Sequence, residues 1–279
     1  MRIRSFDVES GIIYLVGTPI GNLEDITIRA INILKSVDKI YAEDTRNSGI
    51  LLNHYDIKTK LESYHDFSND IKVTKIVDEI KEGLKIALIS DAGLPIISDP
   101  GYKIVKKALE EGLRVSTIPG PSAGISALIK SGIAPLPYLF YGFLDSKESK
   151  RKEELNDLKY EKATLIFYEA PHRINKTLKD ISDVLGNRYI SIERELTKKF
   201  EEHIEGYVDD LVDIDIKGEI VIVVSGYVNN DISDIDPIDE INKLIKEGYK
   251  SVDAVKEVAK IFNLNKKELY KKYNENKGS

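Results

Sequence analysis

The residues able to do chemistry gather in four short segments, 17–22, 91–101, 119–124 and 169–173, which between them are rich in small residues, prolines and acids. Glycine and proline let a backbone come close to a ligand. The segment Asp91-Ala92-Gly93-Leu94-Pro95-Ile96-Ile97-Ser98-Asp99-Pro100-Gly101 is the most suggestive, with two acids, two glycines and two prolines around an apolar middle. Gly17-Thr18-Pro19-Ile20-Gly21 alone reads better as a plain tight turn. No Gly-Lys-Ser or Gly-Lys-Thr occurs, so no P-loop is present, and no GxGxxG dinucleotide motif is found. A serine-hydrolase elbow is not expected either. The four histidines, His54, His65, His172 and His203, lack the spacing of a metal-binding helix. His54 and His203 read as solvated, whereas His172 stands out through its neighbours Glu169 and Arg173. The run Glu193, Arg194, Glu195, Lys198, Lys199 is most simply a solvated charged stretch, although its position after a strand gives function an equal claim.

These segments need a scaffold, and the flanking pattern supplies one. Short apolar strands are expected at 11–18, 39–42, 85–90 and 114–118. Amphipathic helices alternate with them: one capped by Asp25 and running to about Ser36, one over Asn47 to His54, one from Ile71 to Glu82, and one ending at Glu111 before Gly112. Such alternation predicts a parallel α/β sheet, whose ligands bind beyond the carboxyl ends of the strands. The chemically loaded segments all lie there. The second half has strands at 163–168, 189–194 and 219–225, a helix ending at Leu185, and a basic loop or helix start from Lys147 to Arg151. An acidic, unpatterned linker is expected over 229–237. A small helical module follows over 238–279: Ile238 to Lys246, then Ser251 to Phe262 with Val252, Val255, Val258 and Ala259 on one face. The turn Asn263-Leu264-Asn265 comes next, and Asn265 with Glu268 caps a last helix. The arrangement resembles a helix-turn-helix.

The chain of 279 residues has no cysteine, which excludes disulfides, thiolate catalysis and Cys-ligated metal centres. The start, Met1 to Ser10, shows no apolar signal-peptide core, and no apolar run is long enough to span a bilayer, so a cytoplasmic protein is expected. The net charge of −6 argues against nucleic acid as a partner, but its distribution does not. Residues 241–279 carry ten lysines and five acids, a net +5 that leaves −11 on the rest.

Taken in order, Leu15-Val16-Gly17-Thr18-Pro19-Ile20-Gly21-Asn22-Leu23, Ala42-Glu43-Asp44-Thr45-Arg46, Ser90-Asp91-Ala92-Gly93 with Ser98-Asp99-Pro100-Gly101, Ile118-Pro119-Gly120-Pro121-Ser122-Ala123, Phe167-Tyr168-Glu169-Ala170-Pro171-His172-Arg173, Glu195-Leu196-Thr197-Lys198 and Gly218-Glu219 resemble the successive motifs of one family. It is the 2′-O-ribose cytidine methyltransferase family of small-subunit (16S) ribosomal RNA, within the tetrapyrrole-methylase superfamily. The resemblance covers about residues 11–226, and the tail is similar to that family's small helical module.

The resemblance implies a class III methyltransferase architecture: an N-terminal α/β domain over 1–120, a second α/β domain over 121–228, and the donor S-adenosylmethionine in the cleft between them. It implies a homodimer, no metal, and a decoding-site cytidine of the 30S subunit as acceptor. Carried over residue by residue, the donor's methionine part falls to Pro19, Asp91, Ala92, Gly93, Leu94, Ile97, Ser98, Asp99, Pro119, Gly120, Ser122 and Ala123. The adenosine falls to Phe167, Tyr168, Glu169, Thr197, Gly218 and Glu219. Leu94 departs from the threonine usual in the family, which removes a hydroxyl contact there.

Transfer from a sulfonium is an in-line displacement that depends on positioning. The weakly nucleophilic ribose hydroxyl gains from a general base, with Glu43, Asp44, Glu169 and His172 as candidates. Arg46, Arg173 and Lys198 are candidates to grip phosphates. The basic tail, with Lys147, Lys150, Arg151 and Lys152, is expected to supply further phosphate contacts. A small-molecule tetrapyrrole or diphthamide-pathway methyltransferase on the same fold, and a non-catalytic ribosome-assembly factor that keeps the cleft, are the alternatives.

Overall fold

The computed structural model describes residues 11–64, 70–228, 236–246, 248–262 and 264–276. The readings made for Met1 to Ser10, His65, Asn263 and nearly all of the 229–237 linker fall outside the described residues. The chain divides into two compact units, Met1–Gly226 and Tyr227–Ser279.

The larger unit holds two five-stranded sheets. The first consists of β1 (Ile12–Val16), β2 (Lys39–Ala42), β3 (Lys60–Ser63), β4 (Lys85–Ile89) and β5 (Arg114–Ile118), in the order β3-β2-β4-β1-β5. All its pairings are parallel. The interior strands β1, β2 and β4 read as near-continuous apolar runs because both faces are covered. One face carries Ile13, Leu15, Tyr41, Ile86 and Leu88, the other Val16, Ile40, Ala42, Ala87 and Ile89. Helices α1 (Ile28–Ser36), α2 (Thr45–His54), α3 (Asp70–Lys81) and α4 (Tyr102–Glu110) bury their apolar stripes against these faces. The cap expected of Asp25 is made elsewhere. Asn22 accepts from Glu24 N at the head of a single 3-10 turn, and Thr27 accepts from Ala30 N to start α1. The chain pauses for that turn before the helix, so the cap falls two residues later than the pattern implies.

The second sheet is mixed: β6 (Tyr138–Phe143), β7 (Thr164–Glu169), β8 (Tyr189–Arg194), β9 (Glu202–Tyr207) and β10 (Ile220–Val224), ordered β6-β7-β10-β8-β9. Only β6 and β7 are adjacent and parallel; β10 runs antiparallel to both β7 and β8, and β9 antiparallel to β8. Helix α5 (Ala123–Lys130) packs on β7 and β10 over one face. Helices α6 (Glu148–Asp157) and α7 (Ile174–Leu185) pack against each other, and Leu155, Leu178 and Ile181 join Phe167 and Ile192 in the core on the other face.

The smaller unit, taken by itself, is three helices, α8 (Pro237–Lys246), α9 (Ser251–Ile261) and α10 (Lys266–Asn276). Asn265 caps α10, its side chain accepting from Lys267 N at 2.9 Å and Glu268 N at 3.4 Å. Helix α9 packs on both neighbours. Its buried face is Ala254, Val255, Val258 and Ala259; Val252 is exposed, and Ala254 takes the place expected for it. Lys266, Lys267, Lys271 and Lys272 of α10 are exposed. Among the described residues, no helix is long and apolar enough to cross a membrane, and no group of three or more His, Asp or Glu could hold a metal ion.

Candidate active site

The all-parallel first sheet sends the loops after β1, β2, β4 and β5 out at one edge. Two contacts lock those loops together. Thr18 and Gly93 exchange backbone hydrogen bonds of 2.8 and 3.1 Å. Gly17 and Gly120 meet back to back: a Cβ on Gly17 would lie 2.7 Å from Gly120 Cα, so neither position has room for a side chain. The loop after β4 is held in an uncommon conformation, with φ of +80° at Ile96 and +63° at Ser98. For a β-branched residue that is a genuine outlier, and such backbone persists where neighbouring structure over-determines it.

These loops and the second sheet enclose a cavity of about 410 Å³, within the roughly 300–1,000 Å³ usual for small-molecule sites. From the first half, Ile20, Ala92, Gly93, Leu94, Ile97, Ser98 and Asp99 line it. From the second half come Ser122 and Ala123 at the start of α5, Phe143, Tyr168 to Pro171, Glu193, Leu196 and Gly218 to Val221. The walls are mostly apolar, with carboxylates of Asp99 and Glu219 among them. Tyr168 is fixed in the wall: its hydroxyl accepts from Gly124 N at 3.1 Å, and Phe140 and Phe143 pack edge-on to its ring. Burial pushes the phenol up, so it stays protonated. Gly218, at φ +94°, must be glycine because the Glu195 side chain occupies the space a Cβ would need.

Of the residues expected to hold a donor, Ala92, Gly93, Leu94, Ile97, Ser98, Asp99, Ser122, Ala123, Tyr168, Glu169, Gly218 and Glu219 all reach this cavity. Five do not. Phe167 points to the opposite face of β7, into the core beneath α7, because successive strand residues alternate. Pro19 is buried beside the Thr18–Gly93 bridge, and Gly120 packs on Gly17 while Pro119 is exposed. Thr197 sits against Gly21. The Asp91 carboxylate turns away to the start of α2, accepting from Asp44 N at 3.2 Å and from Asn47 Nδ2 at 2.8 Å.

The acid–base candidates separate as clearly. Glu169 lines the cavity, but its carboxylate is fully engaged by Ala170 N, Thr177 Oγ1 and Arg173. Arg173 spends its guanidinium on that carboxylate at 3.1 Å and on the Leu144 carbonyl at 2.8 Å, so it cannot also grip a phosphate. Asp44 caps α2 and is clamped by Arg46 at 2.6 Å. The side-chain and backbone hydrogen bonds from Arg46 pull its pKa down to about 2, making it a weak base. Arg46 itself is 88 % exposed. Glu43 is half-buried at the end of β2 and His172 is exposed beyond β7. Lys198 is tied to Glu195 and Glu219, both at 3.0 Å; burial works against its charge, but the two carboxylates outweigh that and raise its pKa. Arg151 is likewise withdrawn from any phosphate: it is buried and paired with Asp180 at 2.6 Å, while Lys152 is shared among Glu148, Asp180 and Asp183.

Gly120-Pro121-Ser122-Ala123-Gly124 does carry the G-x-S-x-G spacing, against the expectation that such an elbow is absent, and it follows a strand and opens a helix. Ser122 nevertheless has extended backbone (φ −144°), not the strained turn a nucleophile elbow requires.

Comparison with known proteins decides the family. The family model described as tetrapyrrole (corrin/porphyrin) methylases matches residues 12–212. The chain belongs to the tetrapyrrole methylase family. Within it, this methylase is similar over its whole length to proteins named ribosomal RNA small subunit methyltransferase I. Identity is 45 % to that of Bacillus subtilis (strain 168), covering 98 % of each chain, and 44 % to that of Halalkalibacterium halodurans, covering 96 % of each. Among solved structures, the methyltransferase CobJ superposes with a TM-score of 0.60 at 16 % identity, over 78 % of this chain and 95 % of the other. Diphthine synthase does so with 0.59 at 12 %, over 77 % and 90 %. At those identities the structures establish the shared fold.

Sequence reasoning missed three features of this methylase's site. Phe143 arrives from an edge strand whose register shifts between Phe140 and Gly142. Ile20 and Leu196 are ordinary apolar residues brought to the wall by the loops that carry them. Glu193 was legible only as one charge among several, yet it lines the cavity as a buried carboxylate.

Proposed function

We propose that this chain transfers a methyl group from S-adenosylmethionine to the 2′-hydroxyl of a decoding-site cytidine in the 16S rRNA of the 30S subunit. The observation that carries the reading is the full-length likeness to curated small-subunit rRNA methyltransferases. The cavity supports it through size and lining. When bound, S-adenosylmethionine supplies an electrophilic methyl group on a cationic sulfur. Asp99 and Glu219 give the cavity the negative charge that favours a cation. Ala92 and Gly93 offer backbone without bulk, and Leu94, Ile97, Leu196 and Val221 exclude water from the wall. Leu94 brings only apolar contact where a threonine would add a hydroxyl.

Arg46, on the exposed start of α2, is the residue assigned to an acceptor phosphate. Glu43 and His172 are kept as candidates to take the hydroxyl proton. The +5 helical unit, with Lys266, Lys267, Lys271 and Lys272 exposed, is assigned the remaining phosphate contacts. The protein is proposed to act in the cytoplasm as a homodimer.

The test is labelled donor incubated with small subunits from an unmodified strain, followed by mapping of the methylated nucleotide. Label on a cytidine 2′-oxygen is expected. Label on a base, on a porphyrinoid offered in parallel, or on nothing would reject the reading. Deletion of residues 236–279 is expected to weaken subunit binding and leave donor binding intact; unchanged RNA affinity would remove the helical unit from the RNA interface.

A further inference from the structure

From Glu193, a buried carboxylate in the cavity wall, a chain of paired charges that no step above uses runs out to the surface. Glu193 of β8 has no exposed surface. Its Oε1 accepts from Ser191 Oγ at 2.7 Å and lies 2.6 Å from His203 Nδ1, across the β8–β9 ladder where Glu193 and His203 are register partners. Its Oε2 is 3.1 Å from Lys130 Nζ, at the last residue of α5. Lys130 also binds Glu201 at 2.6 Å, and the other oxygen of Glu201 accepts from Thr197 N at 2.6 Å. The series therefore runs His203–Glu193–Lys130–Glu201–Thr197.

The series borders the cavity at two places, through α5 and through the turn that carries Thr197. Lys130 anchors the end of α5, whose first residue, Ala123, lines the wall. Thr197 belongs to a turn with positive φ at two non-glycine residues, +51° at Glu195 and +67° at Thr197, and between them Leu196 lines the wall. Left-handed backbone at such residues is costly and survives only when held from outside. A buried, unexposed carboxylate likewise needs paired partners.

We infer that Glu193, Lys130, Glu201 and His203 are positioning residues for the cavity: they hold the Glu195–Glu201 turn and α5 in the ligand-binding arrangement, and the protonation of His203 sets how firmly. This rests on the cavity being the donor site. The groups facing His203 are Glu193 on β8, Glu205 at 3.3 Å on its own strand, and Ser191; Lys130 and Glu201 act on it through Glu193, and Tyr189 shares Glu205. The hydrogen bond and charge of Glu193 outweigh desolvation and raise the His203 pKa. A raised histidine pKa means the favourable charge is present at low pH and is lost as pH rises through the folded-state value. Glu193 then keeps Lys130 alone.

The experiment is calorimetric titration of the full chain with S-adenosylhomocysteine from pH 5.5 to 9, with thermal unfolding in parallel. Wild type is expected to bind several-fold more weakly above the His203 titration than below it. His203→Gln is expected to flatten that step, and Glu201→Gln to weaken binding at every pH about 3- to 10-fold while retaining a cooperative unfolding transition. Glu201, on the surface, serves where Glu193→Gln or Lys130→Met fails to fold. A wild type that binds with a flat pH profile, or a Glu201→Gln protein that binds like wild type, overturns the positioning role. A wild type that does not bind S-adenosylhomocysteine overturns the donor-site reading beneath it.

Discussion

Two strand-end segments, Glu43-Asp44-Thr45-Arg46 and Glu169-Ala170-Pro171-His172-Arg173, look like versions of one device. Each follows a buried strand, and each sets acids beside an arginine. The tertiary structure makes them opposites. After β2, the Asp44–Arg46 pair stands in solvent with the arginine 88 % exposed. After β7, Glu169 is buried and Arg173 is only 19 % exposed, clamped between that carboxylate and the Leu144 and Asp145 carbonyls. The difference arises from what covers each strand end. Helix α7 starts directly after Arg173 and contributes Thr177 to Glu169, so the second segment is closed from above. Among the described residues, nothing comparable closes over Arg46. Each arginine pairs with an acid of its own segment, but one pair stands in solvent and the other is closed off from it. Chemistry-bearing residue types therefore mark a site without saying which of them face the substrate.

The contrast can be broken experimentally. The largest effect is expected at Glu169→Ala, which leaves Arg173 buried without its carboxylate. Removing one partner of a buried pair costs about 3–5 kcal/mol, measured as a loss in urea unfolding free energy. A loss similar to that of a surface mutation would show that the pair is not a structural clamp. Arg46→Ala is expected to leave the unfolding midpoint near that of wild type and to weaken RNA binding. For a single-stranded contact the slope of log affinity against log salt should fall by roughly 0.7; an unchanged slope would take Arg46 out of the interface. The smallest effect concerns protons. Asp44 is held at about pKa 2 by Arg46, below its ordinary 3.8. A depressed carboxylate contributes stability above its unfolded value and loses it as pH falls towards the folded one. Because the pair is exposed, that contribution is small and screened by salt. A carboxyl titration followed by NMR should place the Asp44 midpoint near 2 in wild type and return it towards about 3.9 in Arg46→Ala.

Legibility in the sequence followed burial. The interior strands β1, β2, β4, β7, β8 and β10 were all readable as apolar runs, and β5 as a shorter one. The strands that escaped, β3, β6 and β9, are all sheet edges. An edge strand keeps one side in water, so Lys60-Leu61-Glu62-Ser63 and Glu202-His203-Ile204-Glu205-Gly206-Tyr207 carry polar residues where an interior strand would be apolar. The candidate site followed the same rule. Its glycines and prolines announced the loops, since backbone contacts between Gly17 and Gly120 exclude a side chain in any context. The direction of each side chain was not announced.

By itself, the sequence determined the α/β alternation, the loops that carry the site, the absence of thiol chemistry and the separate charge of the C-terminal helices. These rest on local properties: apolar periodicity, backbone freedom at glycine, and composition. Only the tertiary structure decided that Tyr168 faces the cavity while Phe167 faces the core, that Arg173 is spent and Arg46 is exposed, and that Glu193, Lys130, Glu201 and His203 form one network. Those outcomes depend on which face a strand buries and on partners 71 residues apart, as Lys130 and Glu201 are. Burial and pairing belong to the assembled sheet rather than to any segment of it.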